Sequence, residues 1–154
     1  MTHRILLSTL VIDAPTDVRD RTVEFWASAL GADAMATPMP QYHILRGAAS
    51  PTRMVVQGVG EGAPSVHIDI HTDDLEAEVQ RLTDCGATVV ESWADHPGSW
   101  VVMRDPNGME FCVVWALNER RPQADRDDFE ARRYAGRASS ERPRLISDPG
   151  TPAE

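Results

Sequence analysis

The chain has 154 residues, of which 42% are hydrophobic, and it carries a formal net charge of −9. This length suits one domain with an additional terminal segment, and the apolar fraction is sufficient for a core. The acidic balance argues against nucleic acid or an anionic membrane as a partner. Apolar runs are too short for a membrane span, and we expect no signal peptide. With only two cysteines, Cys85 and Cys112, a cytoplasmic protein with reduced thiols is expected.

The first half of the chain predicts one β-α-β-β-β unit. An alternating apolar strand precedes a segment with apolar residues at helical spacing, and Gly31 is placed to cap the end of that helix. Prolines and glycines then separate three short strands. The predicted elements are a strand at 5–13, a helix at 17–31, and strands at 32–37, 42–46 and 53–59.

The same order of elements begins again after a glycine-rich linker at 58–64. The stretch "VHIDIHT" alternates apolar and polar residues, so one face of this strand carries two imidazoles and a carboxylate. Asp73 or Asp74 can cap the helix that follows, and Gly86 ends it. The "DPNG" turn signal joins the last two strands. This second unit is predicted as a strand at 66–72, a helix at 75–86, and strands at 87–93, 99–105 and 109–116. The repeated order predicts duplication of one supersecondary unit.

After Leu117 the chain becomes rich in charge, proline and small residues. The segment "DRDDFEARRYAGR" predicts a short helix, and Phe129 is one of few apolar anchors. The last dozen residues are predicted to be loose. We therefore expect residues 118–154 to form a partly flexible extension that packs loosely over the domain.

The segments "VHIDI…DDLEAEVQRLTDCGATVV…SWVVMRDPNGMEFCVV" and "TVEFWASALGA" resemble the vicinal oxygen chelate superfamily. This is the group of glyoxalases, bleomycin-resistance proteins and extradiol dioxygenases, and the glyoxalase-like branch is the most similar. The resemblance implies an α+β fold in which two βαβββ modules form a curled mixed sheet with helices outside. The domain then spans 1–117, with module 1 at about 4–60 and module 2 at about 64–117.

The resemblance also implies where a site would lie. Superfamily members hold a divalent metal in the cup of the sheet, with ligands from the first and last strands of each module, while others bind a drug there without metal. His67 stands at the first-strand position of module 2, and Gln57 lies on the last strand of module 1. Where the family has a glutamate, four residues after Gly108, this chain has Cys112, and Glu110 faces the same way. The predicted ligand set is His67, Gln57 and Glu110, for Zn, Ni, Fe or Mn. Two alternatives stay open for Cys112, a thiolate ligand or a small buried residue of the core. A cup without metal stays equally open, because the first strand of module 1 offers no ligand before Asp13.

We expect His67 and Glu110 to be the catalytic residues, with substrate contacts from Asp69, Gln57, His43, Trp100 and Cys112. Alternation allows only one of Tyr42 and His43 to face the cup, and His71 is expected at its rim.

Three functions are open at this point. The first is a lyase or isomerase of glyoxalase type that acts on a small oxygen-bearing metabolite. The second is a protein of bleomycin-resistance type that sequesters an antibiotic or toxic compound. The third is an accessory domain. The partner expected is a small molecule, and the family suggests a homodimer.

Overall fold

Two βαβββ modules follow one another in the structure, a computed structural model that describes residues 3–136, 138, 140 and 141. Module 1 contains β1 (Arg4–Ala14), α1 (Arg19–Leu30), β2 (Asp33–Ala36), β3 (Tyr42–Arg46) and β4 (Arg53–Gly58). Module 2 contains β5 (Ser65–Thr72), α2 (Leu75–Asp84), β6 (Thr88–Trp93), β7 (Trp100–Arg104) and β8 (Glu110–Trp115). The extension adds α3 (Gln123–Arg132) and β9 (Tyr134–Ala135). The predicted α+β fold and its repeated order of elements are confirmed.

All the strands belong to one open, mixed sheet. Its order is β2-β3-β4-β1-β5-β8-β7-β6, and β9 pairs with the beginning of β1. In each module the last strand lies parallel beside the first, and β1 and β5 join the two modules by antiparallel pairing. The modules therefore pair within one chain, which the sequence left open.

Both helices predicted for the modules are present, α2 beginning at the predicted residue and α1 two residues later. Gly31 caps α1 in the left-handed conformation, with φ of 61°, which glycine adopts without strain. The Asp74 carboxylate caps α2 by accepting a hydrogen bond from the Ala77 amide at 3.0 Å. Gly86 follows α2 with φ of 103°, so it too stands where a side chain would be strained.

Side chains of β1 and β5 alternate between two faces of the sheet. Ile12 packs in the core beneath α1, and Ile68 packs in the core beneath α2. Asp13, His67 and Asp69 therefore lie on the opposite face, which we call the inner face. Strand pairing continues this face into β4 and β8.

The extension packs more closely than its composition indicates. Phe129 of α3 is fully buried and contacts Leu6 and Ala116. The Asp125 carboxylate accepts a hydrogen bond at 2.6 Å from Arg53 on β4. The short helix predicted here is present and covers part of the inner face. The dozen C-terminal residues predicted to be loose lie outside the described residues.

Candidate functional site

A histidine held by an aspartate lies at the centre of the inner face. His67 Nδ1 is 2.7 Å from Asp13 Oδ2, and Ser65 Oγ donates to the same oxygen at 2.8 Å. The pairing register explains the contact, because Asp13 is opposite Ser65 and Val11 is opposite His67. The bond to Asp13 fixes the plane of the imidazole and directs its other nitrogen, Nε2, along β5.

His67 Nε2 meets a second carboxylate and a thiol. Its distance to Asp69 Oδ1 is 3.5 Å, and Cys112 stands beside Asp69 in the parallel register of β5 and β8. One donor atom from each of these three residues lies within 4.8 Å of the other two. Nitrogen, oxygen and sulfur donors thus converge on one small region.

The cluster shifts the proton affinities of its members. Burial disfavours the imidazolium, yet hydrogen bonds to Asp13 and Cys112 and the charge of Asp69 outweigh it and raise the pKa of His67 to about 10. Burial raises the pKa of Asp69 to about 6, against the lowering effects of His67 and Arg121. Burial also raises the pKa of the Cys112 thiol. Without a metal, the neutral-pH site holds a charged imidazolium beside a carboxyl group that titrates near neutrality.

A second group of polar residues lies on the inner face under the extension. Burial, with the charges of Arg121 and Arg53, lowers the pKa of His71 to about 3. His71 is only 3% exposed, so its expected place at the rim is wrong: Leu6 lies opposite it in the sheet and packs against Phe129 of the extension. Burial, followed by the charge of Asp69, raises the pKa of Tyr42. The two groups of residues therefore influence each other electrostatically.

One oxygen of the central cluster has no partner. In the part of the chain that the structure describes, Asp13 Oδ1 is buried without a hydrogen bond. Buried carboxylate oxygens are normally satisfied, so an unsatisfied one marks a place where a ligand group can donate.

The donor set fits a divalent metal ion. Neutral imidazole, carboxylate and thiolate are ligands for zinc and for other transition metals. The hydrogen bond that His67 Nδ1 donates to Asp13 is the usual support for a metal-binding imidazole, since it fixes which nitrogen is free. His67, Asp69 and Cys112 would hold such an ion.

The residues predicted from the sequence are distributed unevenly around this cluster. Gln57 is opposite Asp13 in the pairing of β1 and β4, so it shares the inner face. Glu110 begins β8, where its side chain is half exposed and pairs with Arg104 at 2.7 Å. Glu110 is not among the three residues that converge, so its predicted roles as ligand and base stay predictions.

His43 and Trp100 also lie apart from the three converging residues. His43 is opposite Val56, which belongs to the core beneath α1, so Tyr42 is the one that faces inward. The indole of Trp100 stacks on Trp93 at 5.6 Å. One face of the Trp100 indole, which was expected to contact a ligand, is therefore covered by Trp93.

Sequence reasoning missed Asp13 and Arg121. The sequence marks Asp13 only as the end of the first strand, and Arg121 lies in the extension, outside the family resemblance. Alternation along β1 places Asp13 on the same face as Val11. Its contact with His67 joins residues 54 positions apart in the sequence, so it depends on the pairing register of β1 and β5. No local pattern identifies Arg121.

Comparison with known proteins agrees with this architecture. Residues 9–114 match the family model described as "Glyoxalase-like domain". The chain therefore belongs to the glyoxalase-like domain family, within the vicinal oxygen chelate superfamily. A search of curated proteins found no match.

Several solved structures are similar in fold at low sequence identity. An NAD-dependent benzaldehyde dehydrogenase from Legionella pneumophila is 9% identical, with a TM-score of 0.55 over 70% of this chain and 96% of that one. A hypothetical protein from Bacillus halodurans C-125 is 12% identical, with a TM-score of 0.52 over 72% and 94%. The Mn(II)-bound glyoxalase from Novosphingobium aromaticivorans is 15% identical, with a TM-score of 0.51 over 73% of this chain but 40% of that protein.

None of the helices in the described residues is both long enough and apolar enough to cross a membrane.

Proposed function

We propose that this chain is an enzyme of glyoxalase type, a lyase or isomerase that moves a proton on a small oxygen-bearing metabolite bound to the inner face. The observation that carries the proposal is the contact between Asp13 and His67 at 2.7 Å, which directs His67 Nε2 toward Asp69. Such an arrangement places a proton donor and a proton acceptor side by side in a largely buried site.

The two groups have complementary tasks. The imidazolium of His67 donates a hydrogen bond to a substrate oxygen and stabilises negative charge as it forms there. Asp69 accepts a proton from the neighbouring carbon. General acid–base work of this kind is worth about 10²–10⁴-fold in rate. This proposal gives Asp69 the part that the sequence suggested for Glu110, because Glu110 is exposed and paired with Arg104.

A metal-bound form is the alternative to this acid–base arrangement, because an imidazole nitrogen that binds an ion cannot also donate a proton. A divalent ion, when bound, supplies Lewis-acid polarisation of a substrate oxygen. His67, Asp69 and Cys112 are the residues proposed to hold it, and the Mn(II)-bound glyoxalase of the same fold supports testing manganese beside zinc, nickel and iron.

Proton exchange tests the activity without knowledge of the natural substrate. The protein is incubated in D₂O with small hydroxycarbonyl and oxo-acid compounds, and loss of the proton next to the carbonyl is followed by ¹H NMR. We expect exchange with the wild-type protein and a loss of at least about 100-fold in Asp69→Asn and His67→Gln. Glu91→Gln, on the exposed strand β6, is the control. Exchange that is unaffected by both site variants would contradict the proposal.

Metal analysis separates the two possible ligand sets. Protein stripped with EDTA is supplied with each divalent metal and its metal content is measured. Loss of metal in Cys112→Ser but not in Glu110→Gln supports binding by His67, Asp69 and Cys112. The reverse result would support the set predicted from sequence, and absence of metal in every case leaves proton transfer by His67 and Asp69 alone.

Sequestration of a small molecule is the second candidate. The observation in its favour is Val11, an apolar residue opposite His67 on β1, so module 1 offers no ligand there. A thermal-shift screen with antibiotics tests this candidate, since a bound ligand raises the melting temperature. Tight antibiotic binding without proton exchange would favour it.

We also propose a cytoplasmic location, supported by two cysteines that are both free.

A further inference from the structure

Arg121 is a largely buried cation that lacks good acceptors. Its side chain is 20% exposed, and its ion pair with Asp125 Oδ2 spans 3.9 Å. Within the described part of the chain, Arg121 Nε is buried and has no hydrogen-bond partner. A buried guanidinium whose donors are left unused is unfavourable, so this arrangement indicates an acceptor that arrives with a ligand.

Other arginines of the extension show how unusual Arg121 is. Arg126 donates to three backbone carbonyls, those of Asn118, Glu119 and Arg121. Arg132 donates to Asp128 at 2.7 Å. Both of these residues therefore have a structural part in the extension, whereas Arg121 has one long ion pair and a buried Nε without a partner among the described residues.

A second arginine reinforces the positive charge at this place. Arg53 stands opposite Thr9 on the inner face and donates to Asp125 at 2.6 Å. Arg53 and Arg121 thus share a single carboxylate, and one positive charge is left without a direct counter-ion in this group.

The arginine pair lies next to the central cluster. Arg53 is opposite Thr9 on β1, and Thr9 is in turn opposite Asp69 on β5, so Arg53 lies two strands from Asp69 on the same face. Arg121 is joined to Arg53 through Asp125. The inner face therefore carries acid–base groups around His67 and a positive region under the extension.

We propose that Arg121 and Arg53 form a subsite for a substrate carboxylate, so that the substrates are small hydroxy or oxo acids. This inference rests on the proposed function, because it places the carbon next to the carboxylate near His67 and Asp69. Arginine suits the task because its planar guanidinium donates two parallel hydrogen bonds to a carboxylate. The extension, which lies outside the family match, would then select the substrate of this family member.

Matched pairs of small compounds test the subsite. Lactate and pyruvate are compared with lactamide and methyl pyruvate, which keep the shape but lose the negative charge, and binding is measured by NMR titration. We expect the acids to bind at least ten-fold more tightly than the neutral analogues. Charge-assisted hydrogen bonds of this kind account for about ten- to a hundred-fold in affinity.

Variants assign the effect to the two arginines. Arg121→Gln and Arg53→Gln should weaken binding of the acids about ten- to a hundred-fold and leave the neutral analogues unchanged. Arg121→Lys keeps the charge but not the planar guanidinium. Its affinity for the acids should lie between those of the wild-type protein and Arg121→Gln. Arg132→Gln removes an arginine from α3 of the same extension and should have no effect. Circular dichroism of each variant identifies loss of folding.

Several outcomes would overturn the inference. Equal binding of acids and neutral analogues, no binding of the acids, or an unchanged affinity in folded Arg121→Gln would each do so. Tighter binding of inorganic phosphate than of either acid would overturn the assignment to carboxylates.

Failure of the subsite is distinct from failure of the proposed enzyme. Proton exchange that depends on Asp69 but not on Arg121 would support the proposed enzyme and contradict the proposed subsite. Binding of acids that depends on Arg121, without proton exchange, would support the subsite and contradict the proposed enzyme.

Discussion

His67 contacts one carboxylate through each of its ring nitrogens. The contact with Asp13 is shorter, 2.7 Å against 3.5 Å for Asp69, and Ser65 supports it by donating to the same oxygen. Asp13 therefore orients the ring, while the weaker contact with Asp69 leaves room for a substrate or an ion to come between them. These different distances give two chemically identical side chains different tasks.

The charge on His67 makes the stability of the metal-free protein depend on pH. Because its pKa rises from 6.5 to about 10 on folding, the stabilisation is complete below about pH 6.5 and is lost as the pH rises through 10. We expect the free energy of unfolding of EDTA-treated protein to fall by about 1–3 kcal/mol between pH 7 and 10, less than the full shift implies because the ring keeps some contact with water. Urea denaturation at several pH values measures this change.

His67→Gln is the control for that experiment, because glutamine does not titrate. Its unfolding free energy should vary much less over the same range. Parallel curves for the two proteins would show that His67 is not charged in the folded state.

At the scale of single elements, α2 depends on its N-terminal cap. Asp74→Ala removes the acceptor of the Ala77 amide and leaves this donor at the helix end without its partner. The expected loss is about 1 kcal/mol in the free energy of unfolding, measured by urea denaturation. Asp84→Ala, at the C-terminal end of the same helix, is the matched change. A loss there as large as in Asp74→Ala would argue against capping as the cause.

The extension depends on one buried aromatic residue. Phe129→Ala removes the fully buried side chain that holds α3 against Leu6 and Ala116, so the expected loss is about 3–5 kcal/mol. Thermal and urea denaturation measure the loss. Because Arg121 precedes α3, binding of lactate should weaken in the same variant. Phe25→Ala, at a position 62% exposed, should change neither quantity.

At the scale of the whole molecule, the homodimer expected from the family stays a prediction. The two modules already pair through β1 and β5 within one chain, so a dimer needs no exchange of modules. Sedimentation equilibrium should give twice the chain mass of 17.0 kDa. A mass of one chain at all concentrations would contradict the prediction.

The order of elements was predictable because its signals are local. Alternation marks the strands, helical spacing of apolar residues marks α1 and α2, and Gly31, Asp74 and Gly108 stand where helix ends and a turn require them. Each signal acts over a few residues, so a single sequence contains it in full.

The candidate site was predictable only in part. His67 and Asp69 are two residues apart on one strand, so their shared face follows from alternation alone. Alternation also puts Cys112 and Glu110 on one side of the last strand, and the resemblance favours Glu110 as the ligand. The exposure of Glu110 and its pairing with Arg104 depend on where β8 begins and on the adjacent β7.

The sequence by itself determined the two βαβββ modules, the faces of their strands, and the presence of a histidine and an aspartate on one of those faces. Only the tertiary structure brought Asp13 to His67, because that contact depends on the register between β1 and β5. It also decided that the extension covers the inner face and presents Arg121 there, since burial of Phe129 beside Leu6 joins residues from opposite ends of the domain. Contacts between residues so far apart in the sequence arise from tertiary packing, and a local pattern of residues does not predict them.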